Sequence, residues 1–163
     1  QAVAFARIRY TAGSDYRTMA YFSESGTGSG TKYRLSKFTD IYELNNNAAN
    51  RPADLILGIN MIRIPEMYYI AAEALLESDY DRALELYNAV RTHRGLEPLT
   101  DKPLTVELIN DERYKEMIGE GQTYFNMKRQ NLPILSHDGK TTYQPSAGIY
   151  AIPIPDAEKE NRN

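Results

Sequence analysis

The chain has no cysteine and no tryptophan. Without cysteine there can be no disulfide, no thiolate zinc site and no cysteine nucleophile. This does not fix the compartment, since many exported proteins carry no disulfide. Excess positive charge is also missing: 19 Lys and Arg against 22 Asp and Glu leave a net charge of −3. That balance argues against a nucleic-acid partner. No apolar run approaches the ~18 residues of a membrane span. No signal-peptide pattern opens the chain, which starts at Gln1 and so reads as a processed, truncated or cloned piece.

What is present fits one domain of 163 residues, or a large piece of a bigger one. Apolar residues at 42% and charged residues at 25% are ordinary for a globular protein with a real core. The aromatics are skewed to 13 Tyr and 4 Phe, rings with an apolar body and, for Tyr, a polar tip suited to half-wet surfaces.

Three stretches differ in pattern. Residues 1–60 lack helical periodicity and read as irregular loops with short strands. Strand-like alternation runs through Val3, Phe5, Ile8 and Tyr10, a Gly/Ser-rich loop spans 23–31, and Asn45–Asn47 mark a turn. Residues 61–130 take the period of a helix. Met67, Ile70, Ala71, Ala74 and Leu75 fall on one stripe, and Pro65 is tolerated in the first turn. Asp79 can cap a second helix carrying Ala83, Leu84, Tyr87 and Val90 on one face, with Gly95 to end it. Ala71 and Ala83 would let the two helices approach closely, with Tyr80 and Tyr87 filling the space beside them. The pair resembles a tetratricopeptide-like hairpin, a unit that cannot bury its face alone. A third helix is expected from Thr105, its N-cap, to Gly119, with Val106, Ile109, Arg113 and Met117 on a stripe. A short one follows over 124–129, ended by Pro133. Residues 131–163 form an extended tail held open by Pro145, Pro153 and Pro155. The fold class is mainly α.

Glu112, Glu116 and Glu120 recur every four residues on one helix face. A metal site wants oxygens converging from several segments, and acid/base pairs face each other across a cleft. Structural ion pairing with nearby arginines is the better reading, although the net energy of such pairs is small. His93 and His137 have no marked nucleophile or orienting acid. No phosphate loop, Ca2+ loop or dinucleotide fingerprint occurs. No catalytic residue, metal or cofactor is therefore assigned. The dense Tyr16, Tyr21, Phe22, Tyr33, Phe38 and Tyr42 either cover the core as lids or stay half exposed, able to stack on sugars or peptide side chains. Tyr33, Tyr42, Asn45 and Asn46 are the candidate ligand contacts.

Four ordered signatures carry a resemblance. They are Arg63/Glu66/Tyr68/Glu73, Asn88/Val90/Arg91/Gly95, Glu112/Arg113/Glu120/Gly121, and Pro153/Pro155/Glu158/Asn161. In this order they resemble the C-terminal part of the SusD/RagB family, with Asp15–Arg17 and Lys32–Tyr33 similar to upstream landmarks. The resemblance implies a structural network of Arg63, Glu66, Glu73, Arg91, Glu112, Arg113, Glu120 and Arg129. It also implies an outer-membrane, cell-surface protein without enzymatic activity that binds oligosaccharide, or peptide in some members. Such a protein passes its ligand to a SusC-like TonB-dependent transporter, and touches the membrane only through a lipid anchor outside this chain. One departure stands out: the family's Arg and Asp after Glu120-Gly121 are Thr123 and Asn126 here, which exchanges an ion pair for neutral hydrogen bonds. Two other readings are a helical scaffold that binds only proteins, and a hydrolase using two of the three stacked glutamates.

Overall fold

The computed structural model describes residues 14–26, 30–39, 45, 47–52, 62–136, 139–151, 154–156 and 158. The alternating stretch at 3–10, His137, Pro153 and Asn161 lie outside them. Residues 1–120 and 121–163 form two compact units.

In the first unit, α1 (Arg17–Tyr21) leads into an antiparallel hairpin of β1 (Phe22–Ser25) and β2 (Lys32–Leu35), and a 3-10 turn lies at Ala48–Asn50. Three helices follow: α2 (Ile64–Leu75), α3 (Tyr80–Thr92) and α4 (Val106–Glu116). Each start has a chemical cause. Pro65 sits in the first turn of α2, where a missing N–H costs nothing. Asp79 accepts from the Arg82 backbone N–H at 3.2 Å, and Thr105 from that of Leu108 at 3.4 Å. The end of α3 is a glycine cap. Gly95 has φ +76°, the Gly95 N–H donates to Thr92 C=O and the Leu96 N–H to Arg91 C=O, both at 3.1 Å.

The core gathers Tyr69 and Ala72 of α2, Ala83, Tyr87 and Val90 of α3, Ile109 of α4, and Leu99 and Leu104 from the connection. Burying each large apolar side chain contributes roughly 1.5–3 kcal/mol. Asn88 ties that connection down, since its Oδ1 accepts from the Leu99 N–H at 2.7 Å and its Nδ2 donates to Leu99 C=O at 3.3 Å. The Tyr80 hydroxyl accepts from the Leu104 N–H at 2.7 Å.

Two expectations about faces are corrected. The buried stripe of α2 is Glu66, Tyr69 and Ala72, about one residue round from the expected one, so Ala72 rather than Ala71 meets α3. Met67 and Ile70 are each 44% exposed, Ile64 is 73% exposed and Ala74 also faces outward. The helix is apolar nearly all round, so periodicity alone selects no face. The face is set instead by Glu66, which meets Arg113 of α4. Helix α4 ends at Glu116, three residues before Gly119, and its inward face carries Glu112, Lys115 and Glu116 beside Ile109.

The second unit contains α5 (Gln122–Arg129), β3 (Ile134–Leu135) paired antiparallel with β4 (Thr142–Tyr143), and α6 (Ala147–Tyr150). α5 starts two residues earlier than expected. It stops at Gln130 and Asn131, the latter at φ +53°, before Pro133 is reached. Among the described residues the expected extended tail is interrupted by α6 and by a helical turn at Asp156 and Glu158, where the Glu158 N–H donates to Pro155 C=O at 3.0 Å. Tyr124 and Tyr150 meet at 5.8 Å between ring centroids, and the Tyr150 hydroxyl donates to Leu132 C=O.

Candidate functional site: a buried charge network and its covering strap

Helix α4 presents Glu112, Glu116 and Glu120 one turn apart, and cations from four other segments converge on them. Glu116 is fully buried. It accepts from Arg94 Nε and Nη2, both at 2.8 Å, in a two-pronged bond, and from the Tyr21 hydroxyl at 3.1 Å. Arg63 Nη2 lies 3.0 Å from the same carboxylate and from that of Glu120. Glu112 takes Arg17 Nη2 at 2.8 Å, Lys115 Nζ at 2.8 Å and Arg91 Nη1 at 3.2 Å. Arg113 joins α4 to α2 through Glu66 at 3.0 Å, with Glu73 at 4.0 Å.

The protonation states follow from this crowding. Burial alone would raise the Glu116 carboxyl, but the Arg94, Arg63 and Arg17 guanidiniums outweigh it and hold the group down at about 2. Burial likewise opposes Glu112, and Arg17 with Lys115 overcomes it, leaving that carboxyl lowered. Burial and the Glu112 charge push the Tyr87 phenol up to about 12, with Arg91 5.6 Å from its ring centre. A general acid needs a raised carboxyl pKa and a path to substrate. Glu116 has neither, so this stack of acids works as a brace.

Residues 14–26 and 30–39 supply a strap that reaches the network through Arg17, Tyr21 and Lys37. Arg17 is almost fully buried and bonds both oxygens of Asp15, at 2.9 and 2.8 Å, before reaching Glu112. Lys37 Nζ donates to Glu116 C=O at 2.6 Å and pairs with Glu120, so a cation sits at the negative end of α4. It also stands 4.2 Å from the centre of the Tyr21 ring. Rings of the strap close over two glycines. A Cβ on Gly95 would lie 2.6 Å from Tyr16 Cε1, and one on Gly119 would lie 2.9 Å from Phe38 Cε2.

Of the residues expected in the network, Arg63, Glu66, Glu73, Arg91, Glu112, Arg113 and Glu120 are brought together, while Arg129 is placed in the second unit. There Arg129 Nη2 and Gln130 Nε2 donate to Asn126 Oδ1 at 2.9 and 3.3 Å. Glu116 and Arg94 pair as the expected match of stacked acids with nearby arginines predicts. Asp15 and Arg17 entered only as similar to family landmarks, and sequence reasoning missed Tyr21, Lys37 and Lys115 as members of the network. Of the candidate ligand contacts, Tyr33 is half buried and packs with Tyr21 and Leu35 against Phe22 and Ile118, and Asn45 is exposed. Tyr42 and Asn46 lie outside the described residues.

An apolar pocket of about 250 Å³ opens between the start of α2 and the end of α3, lined by Ile64, Pro65, Tyr68, Ala89 and Val90 with His93 and Arg94. It falls below the roughly 300–1,000 Å³ of small-molecule sites. No helix among the described residues is long and apolar enough to cross a membrane, and no group of three or more His, Cys, Asp or Glu among them could hold a metal ion.

The described site is a set of packed helices braced by buried ion pairs under a charged strap. The chain belongs to the SusD family, whose model matches residues 10–161. Among solved structures it is similar to a SusD-like carbohydrate binding protein from Bacteroides vulgatus ATCC 8482, at 21% identity and a TM-score of 0.68, covering 96% of this chain and 39% of that one. It is also similar to a SusD superfamily protein from the same strain, at 24% identity and a TM-score of 0.65, covering 94% of this chain and 35% of that one. The chain therefore spans under two fifths of the length of these relatives. No curated protein matches it.

Proposed function

We propose that this chain is the C-terminal part of a cell-surface protein that binds nutrient oligosaccharides without enzymatic turnover and delivers them to a SusC-like TonB-dependent outer-membrane transporter. In this reading the intact protein is held at the outer membrane by a lipid anchor outside residues 1–163. The observation that carries the reading is SusD-family membership across residues 10–161. The braced network supports it: a frame in which arginines and a lysine hold the buried Glu112 and Glu116 carboxyls ionised suits loops that hold a ligand and release it unchanged.

Tyr33, Tyr42, Asn45 and Asn46 are the proposed ligand contacts, the rings stacking on sugar faces and the amides supplying hydrogen bonds. Calorimetric titration of the intact protein against panels of oligosaccharides and peptides tests this. Heat with an oligosaccharide, weakened by Asn45→Ala, supports the reading. Heat with peptides alone moves it to a peptide-binding role, and silence on both panels overturns it. Co-purification of a TonB-dependent transporter with the intact protein tests the delivery step separately.

A further inference from the structure

Every exposed position of α2 is apolar. These positions are Ile64 at 73% exposure, Met67 and Ile70 at 44% each, and Ala74. At 3.6 residues per turn they fall within an arc of about 120° and run about 15 Å along the helix. The arc lies on the side of α2 away from Tyr69 and Ala72, which pack into the core. The neighbouring helix shows the composition of a solvated face in the same fold. After Tyr80, the exposed positions of α3 are Asp81, Arg82, Glu85 and Thr92. A helix that is apolar all round is one made to be buried all round, and α2 is buried on one side only.

We propose that this outer stripe is the docking face for a further helix of the intact protein, which lays its own apolar side along α2 from Ile64 to Ala74. The proposal rests on the reading above that this chain is part of a longer protein, and not on the ligand. Three observations select that occupant. The chain spans under two fifths of the length of its solved relatives, so a protein of their length has most of its chain outside residues 1–163. Paired helices of this kind bury their faces by stacking on a neighbouring pair. The pocket of about 250 Å³ between α2 and α3 shares Ile64 with the stripe, and so gives one end of it room for a bulky side chain of the arriving helix. A lipid surface fits poorly. Ile64–Leu75 contains no Lys or Arg, whereas helices that lie on membranes are rich in them on the polar face.

Because the chain has no cysteine, thiol labelling reads this face cleanly. The single variants Ile64→Cys, Met67→Cys, Ile70→Cys and Ala74→Cys are labelled in the 163-residue chain and in the intact protein, with each site followed by peptide mass. Fast labelling of all four in the chain and a slowing of at least about tenfold at all four in the intact protein supports the dock, since buried positions exchange with reagent only through local opening. Equal rates in the two proteins, or slowing at fewer than the four sites, overturns it. Slow labelling of the chain by itself also overturns it: a rate that recovers on dilution assigns the stripe to a second copy, and one that does not assigns it to the chain's own residues. Slowing that requires added lipid vesicles gives the face to a membrane and overturns it too. Oligosaccharide titration can fail while this labelling pattern holds, so the two proposals fall separately.

Discussion

Replacing Glu116 with glutamine keeps the shape of the side chain and deletes its charge. The variant loses the negative partner of Arg94, Arg63 and Arg17. It also turns an amide N–H₂ toward guanidinium donors, where only acceptors fit. The size of the loss can be worked from the folded carboxyl. A pKa of about 2 against the ordinary 4.5 corresponds to about 3 kcal/mol at roughly 1.4 kcal/mol for each pH unit. An uncompensated buried charge costs about 3–5 kcal/mol by an independent route. Arg63 and Arg94 keep 18% and 24% of their side chains exposed, so water softens the penalty toward the lower figure.

The expected result is therefore a fall of about 3 kcal/mol in unfolding free energy at pH 7, read from a lowered denaturant midpoint with an unchanged slope. The pH dependence gives a second handle. The folded pKa is depressed, so the Glu116 contribution is complete above about pH 4.5 and drains away as pH falls toward about 2. The gap between wild type and Glu116→Gln should close over that window. A variant as stable as wild type at neutral pH, or a gap that does not narrow on acidification, would refute the view of Glu116 as the ionised keystone.

Glycine substitutions separate strain from collision. Gly121→Ala meets open space at φ +77°, so it is expected to cost only the left-handed penalty of about 1–2 kcal/mol. Gly95→Ala adds contacts of 2.6 Å with Ser14 C=O and the Tyr16 ring, and thermal denaturation should show a clearly larger drop in Tm. Asp79→Ala removes the side-chain cap of α3. A loss of about 1 kcal/mol in chemical denaturation is expected, and no change would argue against the cap.

The helices were legible because their boundaries are written in local chemistry: Pro65, Asp79, Thr105 and Gly95 each mark an end that the backbone obeys. The faces were harder. Around α2, Met67 and Ile70 are as apolar as Tyr69, so a residue on another helix decides which side is buried. That residue is Arg113, found only once α2 and α4 are docked. The glutamates of α4 could be assigned to arginines in general, but not to Arg17, which reaches Glu112 across 95 residues of sequence. Tyr33 could be read either as a lid over the core or as a half-exposed ring, because periodicity in so short a strand does not choose between them. The hairpin register, Phe22 opposite Leu35, turns Tyr33 toward Ile118.

That long reach between Arg17 and Glu112 has a kinetic consequence. Contacts within α2, α3 and α4 close over short stretches of chain, whereas the strap must return over nearly a hundred residues, an entropic delay that favours late arrival. The hairpins are thus expected to form while α4's carboxylates are still hydrated, with the strap docking afterwards; φ-values near zero for Arg17 substitutions would show that order.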